Sequence, residues 1–345
     1  MSAPRAAVDL DRISEDELLS LRLCDLPVGI EGTWLADCIR QLYEELAAQG
    51  LVFRPDCYLA DEWLTPENEP VIGIPFFLAH PALTRLERKM MLEAEGGTRD
   101  WCMKLLRHEA GHAICYAYRL HRTRRWQRIF GRSSQEYGDT YKFRPYSKSF
   151  VRHLAYYYAQ HHPDEDFVET FAVWLTPGLD WTRQYQGWKA LEKLQFVDQL
   201  MRELRGRPPL VARGRKHWRI RTLRSTLRNY YRRRQSSEAE DYPEFHDANL
   251  RQIFAERAES GAPMPAALPI LRQYRKLLID VISRWTGQRK YLANELLGMI
   301  MQRCRALRLV TAEPEPVVVL RVAAYLTSLL MHYRYTGWYR GERRR

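Results

Sequence analysis

The sequence predicts an α+β fold: a small mixed domain followed by a mainly α-helical C-terminal region. Three observations carry this. Two short β-like runs, Leu51–Leu59 and Val71–Leu78, flank the turn-rich TPENEP and have the lengths and bounds of strands. A long helical pattern over 99–121 places Met103, Leu106, Ala110, Ala113, Ile114 and Ala117 on one stripe. The segments 219–235, 265–286, 288–308 and 314–334 all carry apolar residues three to four apart, which is helical spacing.

Taken in order, residues 1–30 read as a polar lead-in. A helix is expected over 33–49, where Trp34, Leu35, Cys38, Ile39, Leu42, Tyr43 and Leu46 recur at helical spacing and Gly50 can close it. After the two β-like runs, a charged helix over 82–95 ends at Gly96–Gly97, and Thr98 is placed to cap the helix 99–121. The basic stretch 122–150 reads as a long loop with one short helix. A helix from Phe150 to His161 follows. Pro163 opens another over 164–176, stopped by Pro177–Gly178, and a further one covers 187–205. Arg207-Pro208-Pro209 marks a boundary. The expected organisation is therefore a lead-in 1–30, a domain 31–206 and a basic helical region 207–345.

The chain has 345 residues, 46% of them apolar, so a packed core is affordable and wholesale disorder is excluded. There is no run of about 18 consecutive apolar residues, so no membrane span is expected. The N-terminal MSAPRAAVDLDRISEDELLS lacks the apolar centre of a secretory signal. A cytoplasmic location follows as the expectation. Cys24, Cys38, Cys57, Cys102, Cys115 and Cys304 form no C-x-x-C pair, which argues against a zinc knuckle or a disulfide framework.

Arg107-His108-Glu109-Ala110-Gly111-His112 contains HExxH. Positions four apart project from one helical face, so His108 and His112 can bind one Zn²⁺ together. The metal acidifies water, and Glu109 beside it is the candidate general base. A chance HExxH in a chain of this length is on the order of 1%, and the apolar stripe argues against a surface helix with two idle histidines. A third ligand decides the class. Metzincins need Gly three residues and His six residues after the second His; here Cys115 and Tyr118 stand there, so that class is excluded. The alternative is a Glu on a downstream helix, for which 162–172 supplies Glu165 and Glu169. His153, His161 and His162 are weaker candidates, and Asp166 reads as a helix N-terminal acid.

The run Tyr158-Ala159-Gln160-His161-His162-Pro163-Asp164-Glu165-Asp166-Phe167-Val168-Glu169-Thr170-Phe171-Ala172 resembles the second signature of small gluzincins, Y-A-x-x-x-P-x-E-D-F-A-E-x-F-A, departing only at Val168. More closely, 99–205 is similar to the bacterial zinc-binding metallopeptidases, through HEAGHAICYAYRLH, RPYSKSFVRHLAYYYAQHHPDEDFVETFAVWLTP and the W-x-A-L-x-K-L that follows. Lethal-factor-type peptidases share the arrangement more distantly. The resemblance implies a gluzincin-like zincin domain of twisted sheet, active-site helix and glutamate helix. It implies Glu165 as third zinc ligand and Glu169 as the acid that orients a ligating histidine. Tyr158 would be the tyrosine that stabilises the oxyanion. It also implies a sheet edge for an extended substrate, for which Val71–Leu78 is the candidate.

The function expected is a zinc-dependent peptidase cleaving a peptide or isopeptide bond, with a peptide or protein as partner. The alternative is a peptidase-like scaffold whose basic C-terminal region works on nucleic acid or an acidic partner. The net charge is +12, and residues 202–234 hold thirteen Lys/Arg against the single acid Glu203. Trp218, Tyr230 and Tyr231 lie in that stretch and are candidates to stack on bases. Arg340–Arg345 are basic as well.

Overall fold

Residues 8–138, 141–235, 243–256, 264–311 and 313–336 are described by the structure, a computed structural model. The chain divides into two compact units, 1–138 with 142–234, and 139–141 with 235–345.

Part of the expected polar lead-in is folded. Ser14 and Glu17 form a reciprocal cap on helix α1, Glu15–Ser20. Leu18, Leu19, Leu23 and Leu26 are buried, so this segment is part of the first core. Helix α2, Trp34–Ala48, is capped by Thr33. Strands β1, Asp56–Ala60, and β2, Val71–Pro75, pair in parallel, Asp56 opposite Val71 through Ala60 opposite Pro75. On the far side of β2, Leu64 pairs antiparallel with Gly73 through bonds of 2.8 and 3.3 Å. Gly73 leaves room for the close approach, because an added Cβ would meet Leu64 Cδ2 at 2.5 Å and force that side chain to shift. All five β2 residues are buried. β2 is therefore covered at Gly73 on the side away from β1, and the short segment Trp63–Thr65 forms the outer edge there. Burial on both faces explains why β2 reads as an unbroken apolar run.

Helix α3, Pro81–Met91, ends at the left-handed Leu92, short of the two glycines. Helix α4, Arg99–Ala117, is capped by Thr98 as expected. Its Arg107 grips Glu45 of α2 with two bonds of 2.7 Å. Both side chains are buried, and either charge alone there would cost several kcal/mol. Helix α5, Arg124–Phe130, is the one short helix of the basic loop. Helices α6, Pro163–Leu175, α7, Trp181–Gln184, α8, Ala190–Leu204, and α9, Leu227–Gln235, complete the unit.

Much of the basic stretch is committed within this unit. Arg234 reaches the buried Glu87, Lys216 pairs with Asp56, and Arg228 pairs with Asp16. Tyr230 and Tyr231 are buried; the Tyr230 ring meets Phe76 edge-on at 5.4 Å. These two rings cannot stack on bases, which corrects that part of the expectation. Of the three aromatics, Trp218 alone is exposed.

The second unit holds α10, Asp247–Ile253, α11, Ala267–Gln273, α12, Arg275–Thr286, α13, Lys290–Ala306, and α14, Glu315–Thr336. Two-residue strands β3, Ala255–Glu256, and β4, Leu309–Val310, pair antiparallel. Leu271, Ile282, Leu297, Ile300, Val318, Val322, Leu326 and Leu330 form its core. The span Glu315–Tyr335 has mean hydropathy 1.3, long and apolar enough to cross a membrane. It is not a run of 18 consecutive apolar residues, because Arg321 interrupts it. Its Val318, Val322, Leu326 and Leu330, spaced four apart, are fully buried in the helical core. Arg340–Arg345 lie outside the described residues.

Candidate metal centre

Two helices make the centre by crossing closely. At the crossing, a Cβ on Gly111 of α4 would meet Val168 Cβ of α6 at 2.9 Å and Val168 Cα at 3.0 Å. Glycine lets the two backbones approach until residues on both helices share one space. His108 and His112 project from α4, one turn apart, and Glu165 from the first turn of α6, where His162 caps the helix. One donor atom from each of His108, His112 and Glu165 lies within 4.8 Å of the others, and this is the group among the described residues able to hold a metal ion. His108 Nε2 stands 3.1 Å from Glu165 Oε2, and His112 Nε2 stands 3.4 Å from Glu165 Oε1.

The protonation of His108 follows from its other nitrogen. Nδ1 donates to Glu169 Oε1 at 2.8 Å. Glu169 is fully buried, and its second oxygen accepts from the Leu154 amide at 2.8 Å. With the proton held on Nδ1, the Nε2 lone pair faces the Glu165 carboxylate. Two lone pairs 3.1 Å apart repel, so a cation or a proton must lie between them. Burial opposes a charge on His108, but the nearby carboxylates of Glu165 and Glu169 outweigh it and raise its pKa well above that of a free imidazole. Burial also opposes the charge on Glu165, yet His112 and His108 hold its pKa well below the usual carboxylate range. The centre is thus built to attract positive charge. Two imidazoles and a carboxylate are a zinc donor set, and the buried Glu165 Oε2 has no hydrogen-bond partner. The residues present fit the metal.

A cleft of about 530 Å³ opens over this group, walled by Trp63, Leu64, Thr65, Tyr116, Tyr137 and Tyr158. Glu109 lines it, and its Oε2 is buried without a partner. Thr65 Oγ1 donates to the Glu109 carbonyl at 3.2 Å, which ties the outer edge segment to the metal helix.

The expected helix 150–161 is instead a 3₁₀ segment, Ala155–Gln160, interrupted by left-handed Tyr156 (φ 66°) and Tyr157 (φ 58°). Such a conformation costs bulky residues on the order of 1–3 kcal/mol each. The Glu169–Leu154 bond anchors its start, and the reversal turns successive tyrosines to different surroundings. Tyr158 lies 5.7 Å ring to ring from His108, whereas Tyr157 stacks on Phe143 at 4.8 Å. The other histidines do not join the group. Nε2 of His153, His161 and His162 each bonds a backbone carbonyl, of Lys104, Gly138 and Gln135. Asp166, expected as a helix N-terminal acid, is buried against Lys193, and burial raises its pKa to about 7 despite that partner. Tyr137, which the sequence did not single out, donates to Glu165 Oε1 at 2.6 Å.

Residues 62–199, which include every residue of the centre, match the model of a family described as "Putative zinc-binding metallo-peptidase". No curated protein and no solved structure matches the chain.

Proposed function

We propose that this chain is a zinc-dependent peptidase of the gluzincin type, hydrolysing a peptide or isopeptide bond with Glu109 as general base. The observation that carries this reading is the convergence of His108, His112 and Glu165 donor atoms within 4.8 Å, in the cleft lined by Glu109. When bound, zinc supplies a Lewis acid that acidifies water and polarises a carbonyl.

The chain's own residues supply the rest. Glu109 takes a proton from the attacking water and passes it to the leaving amine. Tyr158 donates to the oxygen that becomes negative as the carbonyl carbon turns tetrahedral. Trp63 and Thr65 flank the Leu64–Gly73 bridge and line the cleft. An extended substrate adds there as one more strand.

Elemental analysis is expected to find about one zinc per chain, as three protein ligands and one open position imply. His108→Ala and His112→Ala should each lose most of it. Full retention in both variants would sink the site. Tyr158→Phe should lower kcat about 10²-fold with little change in KM, because its hydroxyl meets charge present only in the transition state. Tyr157→Phe, whose ring lies on Phe143, should turn over normally. If the two outcomes were exchanged, the tyrosine assignment would fall.

A further inference from the structure

Ser133, Ser134, Gln135 and Tyr137 line the cleft and belong to the segment Ser133–Gly138, which has no regular secondary structure. Three side-chain bonds pin it to the start of α6: Ser133 Oγ to Asp164 Oδ2 at 3.1 Å, His162 Nε2 to the Gln135 carbonyl at 3.0 Å, and His161 Nε2 to the Gly138 carbonyl at 2.7 Å. Tyr137 is thereby held in place. Its ring packs on His161 and His162, with centroids at 4.5 and 4.8 Å. Its hydroxyl lies 2.6 Å from Glu165 Oε1 and 3.2 Å from the Tyr158 hydroxyl.

The two oxygens of Glu165 are consequently unequal. Oε1 accepts from Tyr137 and stands 3.4 Å from His112 Nε2, while Oε2 faces His108 Nε2 at the shorter 3.1 Å and is buried with no hydrogen-bond partner. A carboxylate with both oxygens free can swing to grip a metal with two atoms and occupy the position that a catalytic site must leave open. Resting on the zinc reading above, we propose that Tyr137 is a positioning residue: it engages Oε1 so that Glu165 presents Oε2 alone to the metal. Tyr137 and Tyr158 then divide the work, one hydroxyl directed at the ligand and the other at the substrate. The same strap that shapes the cleft wall sets how the third ligand binds.

Tyr137→Phe tests this, because it keeps the ring on the two histidines and removes only the hydroxyl. In a zinc competition titration the variant should bind zinc about 10- to 100-fold more weakly than the wild type, the range seen when a partner of a metal ligand is lost. With cobalt in place of zinc, its visible bands should weaken as Glu165 adds a second oxygen and the ion passes from four to five donors. The thermal midpoint of the metal-free protein should not move. Wild-type zinc affinity with an unchanged cobalt spectrum overturns the proposal, and so does an affinity loss matched by a lower metal-free midpoint. A wild-type protein that takes up no zinc removes the peptidase reading and this inference with it. Normal wild-type binding with an indifferent Tyr137→Phe removes the inference alone.

Discussion

Glu109→Gln should fold, keep its zinc and lose hydrolysis by about 10²- to 10⁴-fold, the span that a positioned general base contributes. The substitution changes almost no volume, and none of His108, His112 and Glu165 is altered. What disappears is the acceptor. Glu109 is buried and lines the cleft, with Oε2 free of any protein partner. An unpaired buried carboxylate oxygen is costly, so its retention beside a metal group points to a partner that arrives with the reaction, the attacking water. An amide at the same place accepts a hydrogen bond but cannot take up the proton. The measurement is kcat on a mixed peptide library, with zinc content determined on the same samples. Turnover near wild type with full zinc would assign the base elsewhere.

The parts of this centre that the sequence made legible are those with a fixed local period. HExxH needs only the helical repeat, and Thr98 caps α4 as expected. The apolar run at Val71 marked a strand, but which strand forms the edge depends on pairing. Leu64 opposite Gly73 is a single bridge with no periodic signal, so the sequence does not show that β2 is covered there. The run 150–161 has helical composition, yet Tyr156 and Tyr157 are left-handed because tertiary bonds, including Leu154 to Glu169, override the local preference. Tyr137 escaped notice for a related reason. It lies in an irregular basic loop, and 28 residues separate it from Glu165. The stretch 122–150 reads only as a long loop with one short helix. Its one signal, a tyrosine in the spacer between the two motifs, is too common to select. In the same way Tyr230 and Tyr231 looked available to bases from composition, while folding buried them.

Glu165→Ala and Glu169→Ala should separate by the amount of metal they lose. Both carboxylates lie on one face of α6, one turn apart, and both reach His108, at 3.1 Å on Nε2 for Glu165 and 2.8 Å on Nδ1 for Glu169. Distance alone therefore does not rank them; the nitrogen they address does. Nδ1 carries the proton donated to Glu169, so that side of the ring is closed to a metal, and the Leu154 amide takes the second Glu169 oxygen. Glu165 instead faces Nε2 of both histidines. Removing it takes away one of the three proposed metal ligands and should abolish measurable zinc binding and activity. Removing Glu169 leaves the proposed metal ligands but strands the buried His108 Nδ1–H and the part-buried Leu154 N–H. Each unsatisfied donor costs about 1–3 kcal/mol, and part of that is recovered as the imidazole turns or water enters. A remaining 1.4–2.7 kcal/mol or so corresponds to zinc affinity weakened about 10- to 100-fold. Glu169→Gln, whose amide oxygen serves one donor and not both, should fall between Glu169→Ala and wild type. Zinc competition titrations on the three variants decide it, and the assignment is reversed if Glu169→Ala is the variant left without metal while Glu165→Ala retains it.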